Sequence, residues 1–195
     1  MNSTNKIIDR VHSYAYQKKV FTKEECEKII SLTKNTNLSE GQIVNKNNLP
    51  DIKLPDIRTS KICWINCDEE TKWIFSKMIN CVFNLNSKYF QFNISGMYEG
   101  LQFTNYKSPN GKYAKHIDRV LDRPVRKLSV SIQLTDPNNY EGGELYVYDN
   151  NKGTVMEKEQ GDLVMFPSYM LHEVKPVTKG ERNSLVAWIT GEQFK

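Results

Sequence analysis

The chain has 195 residues, 38% of them hydrophobic and 26% charged, with a formal net charge of +4. That length buries a substantial core in one domain, and so mild a charge permits an acidic partner without demanding one. No window approaches ~18 consecutive apolar residues, which excludes a membrane-spanning helix. The polar start Met1-Asn2-Ser3-Thr4-Asn5-Lys6 has no apolar centre for a secretory leader, so a cytoplasmic, reducing setting is expected. In that setting Cys26, Cys63, Cys67 and Cys81 read as structural thiols, since no second pair or nearby histidine completes a zinc set.

Residues 9–20 alternate loosely and predict a strand, with His12 as a half-buried or surface side chain. The run Phe21-Thr22-Lys23-Glu24-Glu25-Cys26 opens a helix, Thr22 being the N-cap and Glu25 its reciprocal partner. Cys26, Ile29, Ile30 and Thr33 then share its buried face. Residues 35–56 are polar, rich in asparagine and broken by Pro50 and Pro55, which predicts a surface loop or a flap over substrate. Residues 58–65 follow as a strand with Arg58, Ser60, Ile62 and Trp64 on one side. A long helix capped by Asp68 or Thr71 comes next, carrying Ile74, Met78, Cys81, Val82, Leu85 and Tyr89 on its core stripe.

From about residue 92 the period changes to two. Turn signals such as Ser108-Pro109-Asn110-Gly111, Asp136-Pro137-Asn138-Asn139 and Asn150-Asn151-Lys152-Gly153 separate seven or eight short strands, the spacing of a double-sheet jelly roll. Leu128, Val130, Ile132 and Leu134 form the apolar side of one strand, and Ser129, Ser131 and Gln133 the side that lines a wet pocket. The expected organisation is one catalytic domain over residues 1–195: a helix and strand support over 1–91 and the β core over 92–195.

The chemistry-bearing run is Tyr113-Ala114-Lys115-His116-Ile117-Asp118. On a strand, His116 and Asp118 leave the same side of the sheet and converge on one point. His172 is the candidate third ligand. Two imidazoles and one carboxylate make the facial triad that suits a non-haem ferrous ion and leaves adjacent positions open. Ten residues further on stands Arg182. With Lys179-Gly180 read as a turn, Arg182 falls on the strand antiparallel to that of His172, deep in the barrel, where its fork pairs with a carboxylate. Ser184, on the same side, reaches the same anion. A metal site with a carboxylate anchor one short molecule away fits a keto-diacid.

Leu101-Gln102-Phe103-Thr104-Asn105-Tyr106, Gly111, His116-x-Asp118, Gly142-Gly143-Glu144-Leu145, residues 161–168, His172-Glu173-Val174, Gly180-x-Arg182 and Trp188 together resemble the 2-oxoglutarate and Fe(II)-dependent dioxygenases of the prolyl 4-hydroxylase-like, PKHD-type group. The resemblance covers roughly residues 95–190. It implies a mostly β fold with flanking helices, built on a double-stranded β-helix. It also implies Fe(II) held by His116, Asp118 and His172, and 2-oxoglutarate as co-substrate with O2. Ascorbate would be the reductant. Arg182 and Ser184 would bind the distal carboxylate, with Tyr106 and Gln133 as further co-substrate contacts. Tyr113, Trp188, Arg119 and Tyr169 would line the substrate mouth. The expected reaction hydroxylates an unactivated C–H bond, that of a prolyl residue in a peptide or protein, and yields succinate and CO2. Free proline or another small molecule is the alternative substrate, and a non-catalytic cupin-like binding module the alternative role. Nucleic-acid demethylases of this superfamily resemble one another in a second arginine where this chain has Trp188. No basic run with interleaved aromatics appears either, so neither a nucleic-acid nor a membrane partner is expected.

Overall fold

The computed structural model describes residues 12–34, 36–41, 56–118 and 124–193. The first predicted strand is short, β1 (Ala15–Gln17). Helix α1 (Lys23–Leu32) starts as its sequence dictates: the Glu25 N–H donates to the Thr22 hydroxyl and the Thr22 N–H to the Glu25 carboxylate. That reciprocal cap satisfies two otherwise orphaned donors and contributes roughly 1 kcal/mol. A two-residue strand, β2 (Ser39–Glu40), forms within the stretch read as loop, while residues 42–55, the rest of the expected flap, lie outside the described residues.

The single strand foreseen over residues 58–65 is divided into β3 (Arg58–Thr59) and β4 (Lys61–Ile65), because the two pieces pair with different strands. In α2 (Lys72–Leu85), Ile74, Met78, Val82 and Leu85 are buried at helical spacing. Burying four such side chains contributes roughly 1.5–3 kcal/mol each. Thr71 occupies the N-cap position without a side-chain cap bond, its hydroxyl being taken up by the Asp68 carboxylate and the Asn66 carbonyl. The α-helix stops short of Tyr89. Residues Asn86–Phe90 widen into a π-helical turn, which Asn86 closes through both the N–H and the carbonyl of Phe92.

The remaining strands are β5 (Gly96–Met97), β6 (Leu101–Lys107), β7 (Gly111–His116), β8 (Val125–Gln133), β9 (Tyr140–Gly142), β10 (Leu145–Tyr148), β11 (Thr154–Val155), β12 (Leu163–Pro167) and β13 (Leu171–Gly191). All described pairings are antiparallel. One face of the roll runs β1-β12-β8-β13-β6-β4-β2, with β5 against the end of β13. The other gathers β3, β7, β9, β10 and β11 around the first half of β13.

β13 corrects the expectation of a turn at Lys179-Gly180. His172 and Arg182 are not on antiparallel neighbours; they belong to one 21-residue strand that leaves the smaller sheet and enters the larger. Gly180, at φ 71, makes the crossing, because a Cβ there would stand 2.3 Å from the Asn139 carbonyl oxygen. A sequence that reads locally as a hairpin turn thus serves as a corner, where a strand changes sheets.

Two cores result. Cys26 and Ile29 of α1 and the α2 stripe pack on the outer side of the larger sheet, against Leu101, Phe103, Leu128, Val130, Ile132, Leu163, Met165, Leu185 and Ile189. Between the sheets, Tyr106, Val164 and Phe166 meet Leu145, Val147, Val174 and Val177. The alternation in β8 follows directly: its even-numbered apolar residues face the helices, and Ser129, Ser131 and Gln133 face the gap between sheets.

Candidate active site

His116 ends β7 and stands directly across from His172 on β13, their ring centroids 4.1 Å apart. A register shift just after His172 breaks the regular ladder at this point. Asp118 follows two residues beyond β7, and its backbone N–H donates to the Ser168 carbonyl at 3.0 Å, which ties the segment to the end of β12. Its carboxylate accepts from the Ser129 hydroxyl at 2.7 Å, and Ser129 in turn shares a hydrogen bond of 3.0 Å with Ser168. Among the described residues, His116, Asp118 and His172 bring their ligating atoms within 4.8 Å of one another.

The donor set fits a metal ion. His116 Nδ1 lies 2.8 Å from the Ala114 carbonyl and His172 Nδ1 lies 3.0 Å from that of Met170. A carbonyl can only accept, so each Nδ1 carries its hydrogen and each neutral ring turns a bare Nε2 inward. Those nitrogens stand 3.6 Å and 3.4 Å from the two oxygens of Asp118. Adjacent donors on an octahedral ion at ~2.1 Å are separated by roughly 3 Å, so a small contraction would close the triad.

Electrostatics point the same way. Burial pushes His116 down to about 4, aided by the neighbouring His172. Asp118 is held far below the ordinary carboxylate range: burial opposes its charge, but the His172 charge and hydrogen bond prevail, with a smaller contribution from His116. His172 is shifted upward, the attraction of Asp118 outweighing burial. The pocket therefore favours one positive charge beside Asp118, which a divalent cation would supply in place of a proton.

Deeper in the gap, Arg182 and Ser184 project from the same side of β13, the guanidinium 3.5 Å from the Ser184 hydroxyl and above the Tyr106 ring at 5.5 Å. Arg182 is only 4% exposed, and among the described residues no carboxylate lies within ion-pair distance. A buried cation without a counter-ion is costly, so this one is suited to an anionic ligand. Tyr106, directly across from Arg182, is buried; desolvation raises its pKa while Arg58 and Arg182 oppose the rise. Gln133, by contrast, has both amide hydrogens committed, to the Thr135 carbonyl and the Tyr140 hydroxyl, each at 3.1 Å.

The other expected residues divide. Tyr113 stacks on His116 with centroids 3.5 Å apart and carries the Arg58 guanidinium 4.6 Å from its ring centroid. Trp188 packs against Trp64, with Arg126 stacked 3.9 Å over its ring. Arg126 itself is forked onto Glu99 and reaches the Asp118 carbonyl at 3.4 Å. Tyr169 is exposed on the turn leading to His172, and Arg119 lies outside the described residues. Sequence reasoning missed the roles of Ser129 and Arg126. Only Ser129 left a signal there, as a polar member of the pocket-facing side of β8.

A two-histidine, one-carboxylate cluster inside a jelly roll defines the class of mononuclear non-haem iron oxygenases. Residues 101–190 match the sequence profile of the 2OG-Fe(II) oxygenase superfamily. A PKHD-type hydroxylase of Prochlorococcus marinus (strain MIT 9312) is 35% identical over 99 residues, 50% of this chain and 44% of the relative. Another, from strain MIT 9301, is 32% identical over 133 residues, 68% of this chain and 55% of the relative. The chain thus spans about half the length of these curated relatives. In fold it is similar to a Pseudomonas putida prolyl-4-hydroxylase, with a TM-score of 0.70, 22% identity and coverage of 93% and 94% of the two chains. It is also similar to a Trichoplax adhaerens prolyl hydroxylase in complex with a hypoxia inducible factor peptide fragment, with a TM-score of 0.76, 22% identity and coverage of 92% and 84%.

Proposed function

We propose that this protein is a 2-oxoglutarate-dependent dioxygenase that hydroxylates a prolyl residue in a peptide or protein. The observation that carries it is the pair of histidines whose Nδ1 atoms are spent on backbone carbonyls, so that both Nε2 atoms converge on Asp118. His116, Asp118 and His172 would hold the ferrous ion, Ser129 fixing the orientation of the carboxylate. When bound, that ion supplies oxygen activation coupled to oxidative decarboxylation of 2-oxoglutarate to succinate and CO2. Arg182 binds the distal carboxylate and Ser184 assists, which sets the length of keto-acid that spans from guanidinium to metal. Tyr106 walls that channel, and the apolar side chains between the sheets exclude water.

The substrate side of the mouth carries Trp64, 43% exposed, beside the nearly buried Trp188, with Tyr169 on the neighbouring turn. Aromatic walls accommodate a pyrrolidine ring by its apolar faces. The peptide-bound Trichoplax neighbour and the PKHD-type relatives support a prolyl substrate. The test is succinate release with Fe(II), 2-oxoglutarate and ascorbate, followed by mass spectrometry of proline-containing peptides for the gain of one oxygen atom. Metal binding without 2-oxoglutarate binding would instead identify a cupin-like module.

A further inference from the structure

Behind the Asp118 carboxylate stand two buried serines from different strands. Ser129 lies on β8, opposite Phe166 of β12. Ser168 stands just past the end of β12 and is fully buried, as Ser129 nearly is. The Ser168 backbone is held on both sides: its N–H donates to the Lys127 carbonyl and its carbonyl accepts from the Asp118 N–H, each at 3.0 Å. The hydroxyl contacts, 2.7 Å from Ser129 to Asp118 Oδ2 and 3.0 Å between Ser129 and Ser168, then close a ring that starts and ends on Asp118.

Donors and acceptors give that ring a direction. An ionised carboxylate only accepts, so the single Ser129 hydroxyl hydrogen is spent on Oδ2. The contact between the two serines therefore takes its hydrogen from Ser168. The Ser168 proton fixes the Ser129 hydroxyl, and the Ser129 proton fixes the carboxylate. Oδ1 stays outside the ring, with His116 Nε2 3.6 Å away.

We propose that Ser129 and Ser168 are positioning residues that hold Asp118 to ligation of the metal through one oxygen, Oδ1, with Ser168 acting through Ser129. This rests on the reading of His116, Asp118 and His172 as a ferrous site. A carboxylate free to rock about its Cβ–Cγ bond can grip a cation with both oxygens and so take a second coordination position. In an octahedral site that already has three protein ligands, too few positions would then remain for a chelating keto-acid and O2 together. The two hydroxyls keep that position open before any ligand arrives.

The experiment uses Mn(II)-loaded protein in water enriched in oxygen-17, where broadening of the Mn(II) electron paramagnetic resonance lines counts the metal-bound waters. Wild type is expected to hold three, Ser129→Ala two, and Ser168→Ala an average between them. Mn(II) affinity, read by calorimetry, should fall about tenfold in Ser129→Ala, as loss of a ligand's hydrogen-bond partner does, and about threefold in Ser168→Ala. Because Ser168 acts through Ser129, the double variant should match Ser129→Ala instead of adding a further loss. Three waters in Ser129→Ala would overturn the one-oxygen constraint. Three in Ser168→Ala, or additive losses in the double variant, would overturn the relay, and this arm decides even if Ser129→Ala does not fold. Failure of wild type to bind Mn(II) would instead overturn the metal site beneath both.

Discussion

The two halves of β13 are one continuous strand, yet they do different work. Residues 171–180 pair in regular register with β10 but through register shifts with β7 and β9, and this half delivers His172. Residues 181–191 run in regular register between β6 and β8 as far as Ile189, and this half delivers Arg182, Ser184 and Trp188. Irregular pairing re-aims a side chain toward a point shared with β7; regular pairing keeps alternate side chains on one wall. A metal ion needs the first arrangement and an elongated co-substrate the second.

The largest expected effect strikes the irregular half. His172→Ala, like His116→Ala or Asp118→Ala, should lower 2-oxoglutarate-dependent succinate formation more than ~100-fold, since deleting a ligand costs more than disturbing its supporting shell. Normal turnover by iron-supplemented variants would remove the triad from the account. On the regular half, Arg182→Met should raise the KM for 2-oxoglutarate by ~30-fold or more, because a buried charge pair loses one member. The same variant should melt no lower than wild type without ligand, as it removes an uncompensated buried cation. A marked fall in Tm would mean that Arg182 has a protein partner instead.

At the joint, Gly180→Ala forces a side chain into left-handed backbone and against the Asn139 carbonyl. A loss of roughly 1–3 kcal/mol in chemical denaturation is expected, together with weaker 2-oxoglutarate binding, since both halves must stay correctly spaced. An unchanged variant would show that the corner does not set that spacing. The smallest effect lies outside β13. Burial raises the pKa of Asp162, which receives the Lys19 N–H on one oxygen. A carboxyl raised on folding is most stabilising when protonated, so its contribution is present below the ordinary carboxylate range and is lost as pH rises through the folded pKa. Urea unfolding of Asp162→Asn across that window should show a flatter pH dependence than wild type, with 2-oxoglutarate binding untouched. An identical slope would place the titration elsewhere.

Local signals made much of this legible in the amino-acid sequence. The Thr22 and Glu25 cap, the two-sided alternation of β8 and the His116-x-Asp118 spacing each depend on neighbours within a few residues. So does the shared side of Arg182 and Ser184. What stayed hidden depends on partners far along the chain. Lys179-Gly180 has the composition of a hairpin turn, and only pairing with β9 turns it into a corner. Nor does the sequence announce that Tyr113, expected at the substrate mouth, stacks on His116, a contact that depends on the shift in the β7 ladder.

The most direct test of a single site spanning both halves of β13 is 2-oxoglutarate titrated into wild-type protein with and without Mn(II). The account predicts one equivalent bound tightly with metal and at least ~30-fold more weakly once the metal is chelated, because the ligand then loses one of its two anchors. Equal affinity in both conditions would contradict it.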